Sequence, residues 1–153
     1  MEVLKQTIKV LKVLYLTVTV ALAFQMASRS LDYLTGNPRP GTGFVGVVGL
    51  EPPTVWGLTG LIAVGVIAVG LVLRKTLIIS VGGVFLVILY LTFAWMNLVS
   101  LIGDGPPYDD WRNFTAFLSA AAIWGTVSFV GVLFPSLERV EGDLNGVLTE
   151  PDK

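Results

Sequence analysis

The sequence predicts an all-α integral membrane protein, a four-transmembrane-helix bundle with a Gly/Pro-rich outer loop. Three observations lead there. Of 153 residues, 54% are hydrophobic and only 14% are charged, against about 25% charged in a typical soluble domain. The charges leave long gaps: 16, 22, 28 and 25 uncharged residues separate Lys12 from Arg29, Glu51 from Arg74, Lys75 from Asp104 and Arg112 from Glu138. Each gap approaches or exceeds the roughly 20 apolar residues that carry a helix across a hydrocarbon core of about 30 Å.

The first span is read over about 10–29. Lys9 and Lys12 stand at its start, where long lysine stems snorkel to an interface while their backbone stays in the apolar layer. A second reading of this segment is a signal peptide: three lysines, an apolar stretch and Ala21-Leu22-Ala23 as a cleavage site. Apolar sequence continuing to Ala27 speaks for the uncleaved span. The second span, about 54–73, follows Pro52 and Pro53, with Thr54 as its N-cap. The third, about 76–102, is separated from the second by Arg74-Lys75 alone. Some fifty apolar residues exceed one crossing, so a tight antiparallel hairpin is expected there. The fourth, about 112–134, begins after Asp109 and Asp110, which complement a helix N-terminus, and Pro135 is expected to end it.

Residues 1–135 thus form a four-span membrane domain, and 136–153 a charged cytoplasmic tail. Lys and Arg set the orientation. Seven fall on the side of the termini and the hairpin, and three (Arg29, Arg39, Arg112) on the other. Both termini are therefore expected in the cytoplasm of a bacterial-type plasma membrane. Tyr33, Trp56, Trp95, Tyr108 and Trp111 fall near the outer boundary, where amphipathic rings collect. Lys5, Lys9 and Lys12 make one basic stripe suited to an anionic leaflet.

The outer loop, 30–53, holds Asn37-Pro38-Arg39-Pro40 and Gly41, Gly43, Gly46 and Gly49, a density that argues for irregular backbone. Its Phe44, Val45, Val47, Val48 and Leu50 are candidate contacts for a partner. Gly41 to Gly46 matches G-x-G-x-x-G, but a phosphate cradle of that kind needs a preceding strand and a following helix, so the run is read as a Gly-rich turn. Asp32, Glu51, Asp104, Asp109 and Asp110 form an acidic rim without calcium-loop spacing. Asn113-Phe114-Thr115 spells a glycosylation sequon at the membrane boundary and is given no weight.

The chain has no Cys and no His, which excludes disulfides, thiolate nucleophiles, zinc sites of the usual kind, His- or Cys-ligated haem and histidine acid–base chemistry. A formal net charge of −1 offers no nucleic-acid footprint. No ionisable residue is expected deep in a span, which weakens proton relays and ion-coupled transport. No enzyme, cofactor or metal is expected.

Two sets of residues carry the expected interior. Small residues let helices approach closely: Gly57, Gly60, Gly65 and Ala68 in the second span, Gly82 and Gly83 in the third, Ala121, Gly125 and Ser128 in the fourth. They are candidates for helix packing and for an oligomer interface. Gln25, Tyr90 and Asn97 are expected to be buried polar groups bonding across helices or facing a lumen.

Short length, several spans, the basic start at Lys5 to Lys12 and the charged tail from Glu138 to Lys153 give a plan that resembles small phage-encoded membrane proteins of the holin and holin-like kind. The outer loop is longer than in compact holins. The resemblance implies a non-enzymatic pore or lesion former acting as an oligomer in the lipid bilayer. The alternative is a structural or accessory subunit of a larger membrane complex, docking through the outer loop and the tail.

Overall fold

The protein's structure, a computed structural model, describes residues 2–35, 53–103 and 111–149. They form four helices: α1 (Glu2–Leu34), α2 (Pro53–Val72), α3 (Thr76–Gly103) and α4 (Trp111–Thr149). Each is long and apolar enough to cross a membrane. The candidate contacts Phe44, Val45, Val47, Val48 and Leu50 lie outside the described residues, as does the G-x-G-x-x-G run.

The helices run up, down, up, down. On α1 and α2, Gly57 faces Ser30 and Leu34, and Gly60 faces Met26 and Ser30. On α3 and α4, Gly83 faces Ser128, and Gly131 faces Ser80 and Thr76. In both pairs the numbers rise on one helix as they fall on the other, so neighbours are antiparallel. Each helix packs on its sequence neighbour, most extensively α3 on α4, and the ring closes through a thin α1–α4 contact. Two ends follow: a terminal end, with Lys12, the α2–α3 turn and Glu138, and a loop end, with Leu34, Gly103 and Trp111.

The α2–α3 turn shows how a hairpin forms with neither Gly nor Pro. Arg74 takes the left-handed conformation, φ 54°. The Lys75 amide donates to the Gly70 carbonyl at 2.9 Å, and the Arg74 amide to Leu71 at 3.2 Å. This crossed pair is a Schellman cap, which occupies carbonyls that the end of α2 would otherwise leave free.

Two helix ends differ from the sequence expectation. The first span was expected to stop near Arg29, yet α1 continues to Leu34, because no Gly or Pro interrupts the chain before Gly36. Arg29, read as the end of the first span, therefore stands more than a turn inside α1. Pro135 was expected to end the fourth span, yet α4 runs through it to Thr149, so much of the expected tail is helix. Proline removes one amide donor and crowds the carbonyl four residues back, here Gly131. Tertiary packing outweighs that cost: Gly131 fits against Tyr15 and Ser80, and Phe134 against Tyr15 at 5.1 Å between ring centroids.

The core runs the length of the ring. Ile67, Ile79, Leu86, Phe93, Trp124 and Phe134 are almost wholly buried and fill the interior of a single copy. The outward face of α3 is apolar, with Val84, Phe85, Ile88 and Trp95 exposed, while α4 exposes Ile123 and Phe129 beside Thr115, Ser119 and Thr126.

Candidate functional site

Three groups of residues stand out against this apolar background. The first is a layer at the loop end, centred on the buried Phe93 of α3. Trp56 of α2, Tyr33 of α1, Tyr90 of α3 and Phe117 of α4 surround it, at centroid distances of 5.1, 6.3, 6.5 and 5.3 Å. All four helices thus meet at one aromatic hub, in the tilted and edge-on geometries that ring quadrupoles favour. The Tyr90 hydroxyl donates to the Met26 sulfur at 3.1 Å, a weak acceptor. The Arg29 guanidinium stands beside Tyr90 and close to Tyr33. In the same layer, Ser30 Oγ and Trp56 Nε1 are buried without a hydrogen-bond partner.

The second group is a polar cluster toward the terminal end. The Ser80 hydroxyl reaches the Ser128 carbonyl of α4 at 2.8 Å and the Thr76 carbonyl of its own helix at 3.0 Å. Thr19 donates to the Tyr15 carbonyl at 2.8 Å. Tyr15 Oη and Ser128 Oγ are buried without a partner. One helical turn beyond, Lys12 of α1 pairs with Glu138 of α4 and closes the thin seam of the ring.

The third group faces outward. Thr17, Ala21, Gln25 and Ser28 are exposed along one face of α1, at the four-, four- and three-residue steps that align side chains on a helix. Thr17 and Ser28 return their hydroxyls to the Val13 and Phe24 carbonyls, at 2.9 and 3.0 Å. A carboxamide can satisfy only part of its capacity that way. Gln25 makes no hydrogen bond among the described residues. It lies well inside the span Gln6–Leu34, on the loop-end side of its centre, next in sequence to Met26, which meets Gly60 of α2.

The small residues named from the sequence divide into two sets. Gly57, Gly60, Gly82 and Gly83 sit where helices meet. A Cβ at Gly57 would stand 2.6 Å from the Ser30 carbonyl oxygen, and one at Gly82 would stand 2.6 Å from the Ile67 side chain. Ala121 and Ser128 are buried in the same interior. Gly125 has only an ordinary contact with Val87, at 3.9 Å. Gly65 has open space around it, and Ala68 is also exposed, so this pair plays no part in packing within one copy.

The polar residues divide as well. Tyr90 is buried. Asn97 is half-buried and donates to the Phe93 carbonyl of its own helix at 2.8 Å, not across to another. Gln25 was expected to be buried and is exposed, because it is turned roughly 100–140° around α1 from Thr19, Met26 and Ser30.

Sequence reasoning missed Gly131, while Gly70, which shares a helix face with Ala63 in the sequence, packs as a small residue would. A Cβ at Gly70 would stand 2.7 Å from the Ile79 amide nitrogen, so α2 and α3 touch backbone to backbone just before their turn. Gly131 had a readable signal, since it continues the helical spacing of Trp124 and Ser128. Arg29 was placed at a membrane edge, so its position in the layer was also missed. Among the described residues, no group of three or more Asp or Glu side chains converges as a metal site would require.

Comparison of this chain with known protein families, with curated proteins and with solved structures finds no match.

Proposed function

We propose that this chain is a non-enzymatic integral membrane protein whose copies assemble through α1 into a holin-like pore or lesion. The observation that carries the reading is the outward face of α1. Thr17, Ala21, Gln25 and Ser28 are exposed there, whereas α3 exposes Val, Leu, Ile, Phe and Trp and α4 exposes hydroxyl residues, Thr115, Ser119 and Thr126, but no carboxamide among its described side chains. A carboxamide left bare in hydrocarbon is unfavourable by several kcal/mol on apolar transfer scales, roughly 4–8 for an amide. Gln25, well inside the span Gln6–Leu34, therefore calls for a polar partner or for water. Several copies with α1 turned inward supply both, because the face becomes the wall of a lumen and the apolar face of α3 meets lipid. Large side chains fill the interior of one copy, so the lumen lies between copies.

The proposed topology has both termini in the cytoplasm, on the side with seven of the ten basic residues. Lys12 and Glu138 lie near that interface, where a half-exposed pair keeps contact with water. The turn residues Arg74 and Lys75 are exposed at the same end.

Purified protein reconstituted into dye-loaded liposomes tests the reading. Wild type is expected to release dye and to run as a homo-oligomer in mild detergent, while Gln25→Leu shifts toward monomer and retains the dye. Tight liposomes at high protein density would sink the pore. Recovery from native membranes in a stoichiometric complex with a different protein would replace it with the accessory-subunit reading, in which the same face of α1 seats that partner.

A further inference from the structure

We infer that Arg29 and the aromatic layer around it form a binding site for an oxyanion, a carboxylate or phosphate, carried on a hydrocarbon chain. The inference rests on the membrane-embedded reading above, but not on the pore. Arg29 is half-buried on the inner side of α1, beside the Tyr90 hydroxyl. Arg29 forms no ion pair among the described residues. Asp32, three residues along α1, is exposed. A guanidinium cannot lose its proton inside a protein, and an uncompensated cation in an apolar layer is unfavourable. A bound anion resolves that conflict.

The remaining polar groups of the layer point to the same ligand class. Ser30 Oγ, at 0% exposure, has no partner. Trp56 Nε1 is a buried donor with no acceptor. Tyr90 spends its proton on a thioether and gains by turning to an oxyanion. The layer thus has donors in excess of acceptors, which suits a carboxylate or phosphate. Tyr33 and Phe117, partly exposed at the edge of the hub, supply apolar surface for the attached chain. Access is lateral. The contacts that join α1 to α4 at Tyr15–Phe134 and Lys12–Glu138 lie toward the terminal end, and α1–α4 is the thinnest interface of the ring. Arg29 is about 6 Å, four residues of helix, toward the loop end from Gln25. A ligand at that depth brings its own hydrocarbon rather than a hydration shell.

Binding to purified protein in a neutral detergent, at mildly alkaline pH, tests the inference by native mass spectrometry. The probes are oleate, oleyl alcohol (the same chain without the oxyanion) and inorganic phosphate. Wild type is expected to retain oleate at least tenfold better than the alcohol, since charge-assisted bonds outweigh neutral ones. Arg29→Gln should lower oleate to the level of the alcohol, while Arg29→Lys keeps part of the preference. Retention of inorganic phosphate by wild type and not by Arg29→Gln supports the oxyanion site and assigns it a water-soluble source. Equal retention of oleate and alcohol by folded wild type, with no phosphate held, overturns the site. So does undiminished oleate on Arg29→Gln. The same spectra report copy number: a monomer that holds oleate through Arg29 keeps the site and contradicts the oligomer.

Discussion

Arg74 holds a left-handed φ of 54°, a conformation that disfavours every side chain with a Cβ. Arg74→Gly should therefore raise unfolding stability in detergent by about 1 kcal/mol, with no change in the helices around it. The opposite sign applies at Gly70, where a Cβ would press on the Ile79 amide nitrogen at 2.7 Å. Backbone has little freedom to give way, so Gly70→Ala should cost about 1–3 kcal/mol, read as a lower midpoint in thermal or denaturant unfolding. Gly65→Ala is the control: with open space around it, its stability should match or slightly exceed wild type. Helical spacing puts these glycines on different faces of α2, Gly65 with Ala68 and Gly70 with Ala63, without telling which face packs inside one copy. Their difference comes from which side of α2 meets α1 and α3, and that depends on interhelical register. For Gln25 the missing information was closer to hand. It shares a face with Ala21 and Ser28 and is turned roughly 100–140° from Met26 and Ser30, so once those two are known to be buried, helical spacing turns it outward.

At the scale of elements, the uncharged gaps located all four helices, because an apolar run of that length has few alternatives. The ends were harder to read. Pro135 is a strong local breaker, but Gly131 and Phe134 pack against Tyr15, and that packing lies beyond the reach of a local signal. Arg29 looked like a boundary because charges usually mark one, yet nothing in the backbone stops α1 before Gly36. Contacts between elements should differ in strength. The Ser80 hydroxyl ties α3 to the Ser128 carbonyl of α4 at 2.8 Å, so Ser80→Ala should destabilise the pair by about 0.6–2 kcal/mol. Lys12–Glu138 is about half-exposed on both sides, at 44% and 51%, and such pairs contribute about 0–1 kcal/mol. Exchanging the two residues, Lys12→Glu with Glu138→Lys, should recover whatever either single change loses.

At the scale of the whole molecule, one copy is a ring with a closed interior; α1 and α4 both expose hydroxyl residues, but well inside the described spans only α1 exposes a carboxamide without a hydrogen bond. That asymmetry is the basis for assembly through α1. The chain contains no cysteine, so a single introduced thiol reports its own neighbours without background. Ala21→Cys places one beside Gln25 on that face and leaves the carboxamide in place, while Phe85→Cys places one on the exposed face of α3. Oxidative cross-linking of both variants in native membranes tests the central claim most directly. The α1 assembly predicts disulfide-linked homodimers from Ala21→Cys and little or none from Phe85→Cys. Monomer from both variants, or equal cross-linking at both positions, would contradict it.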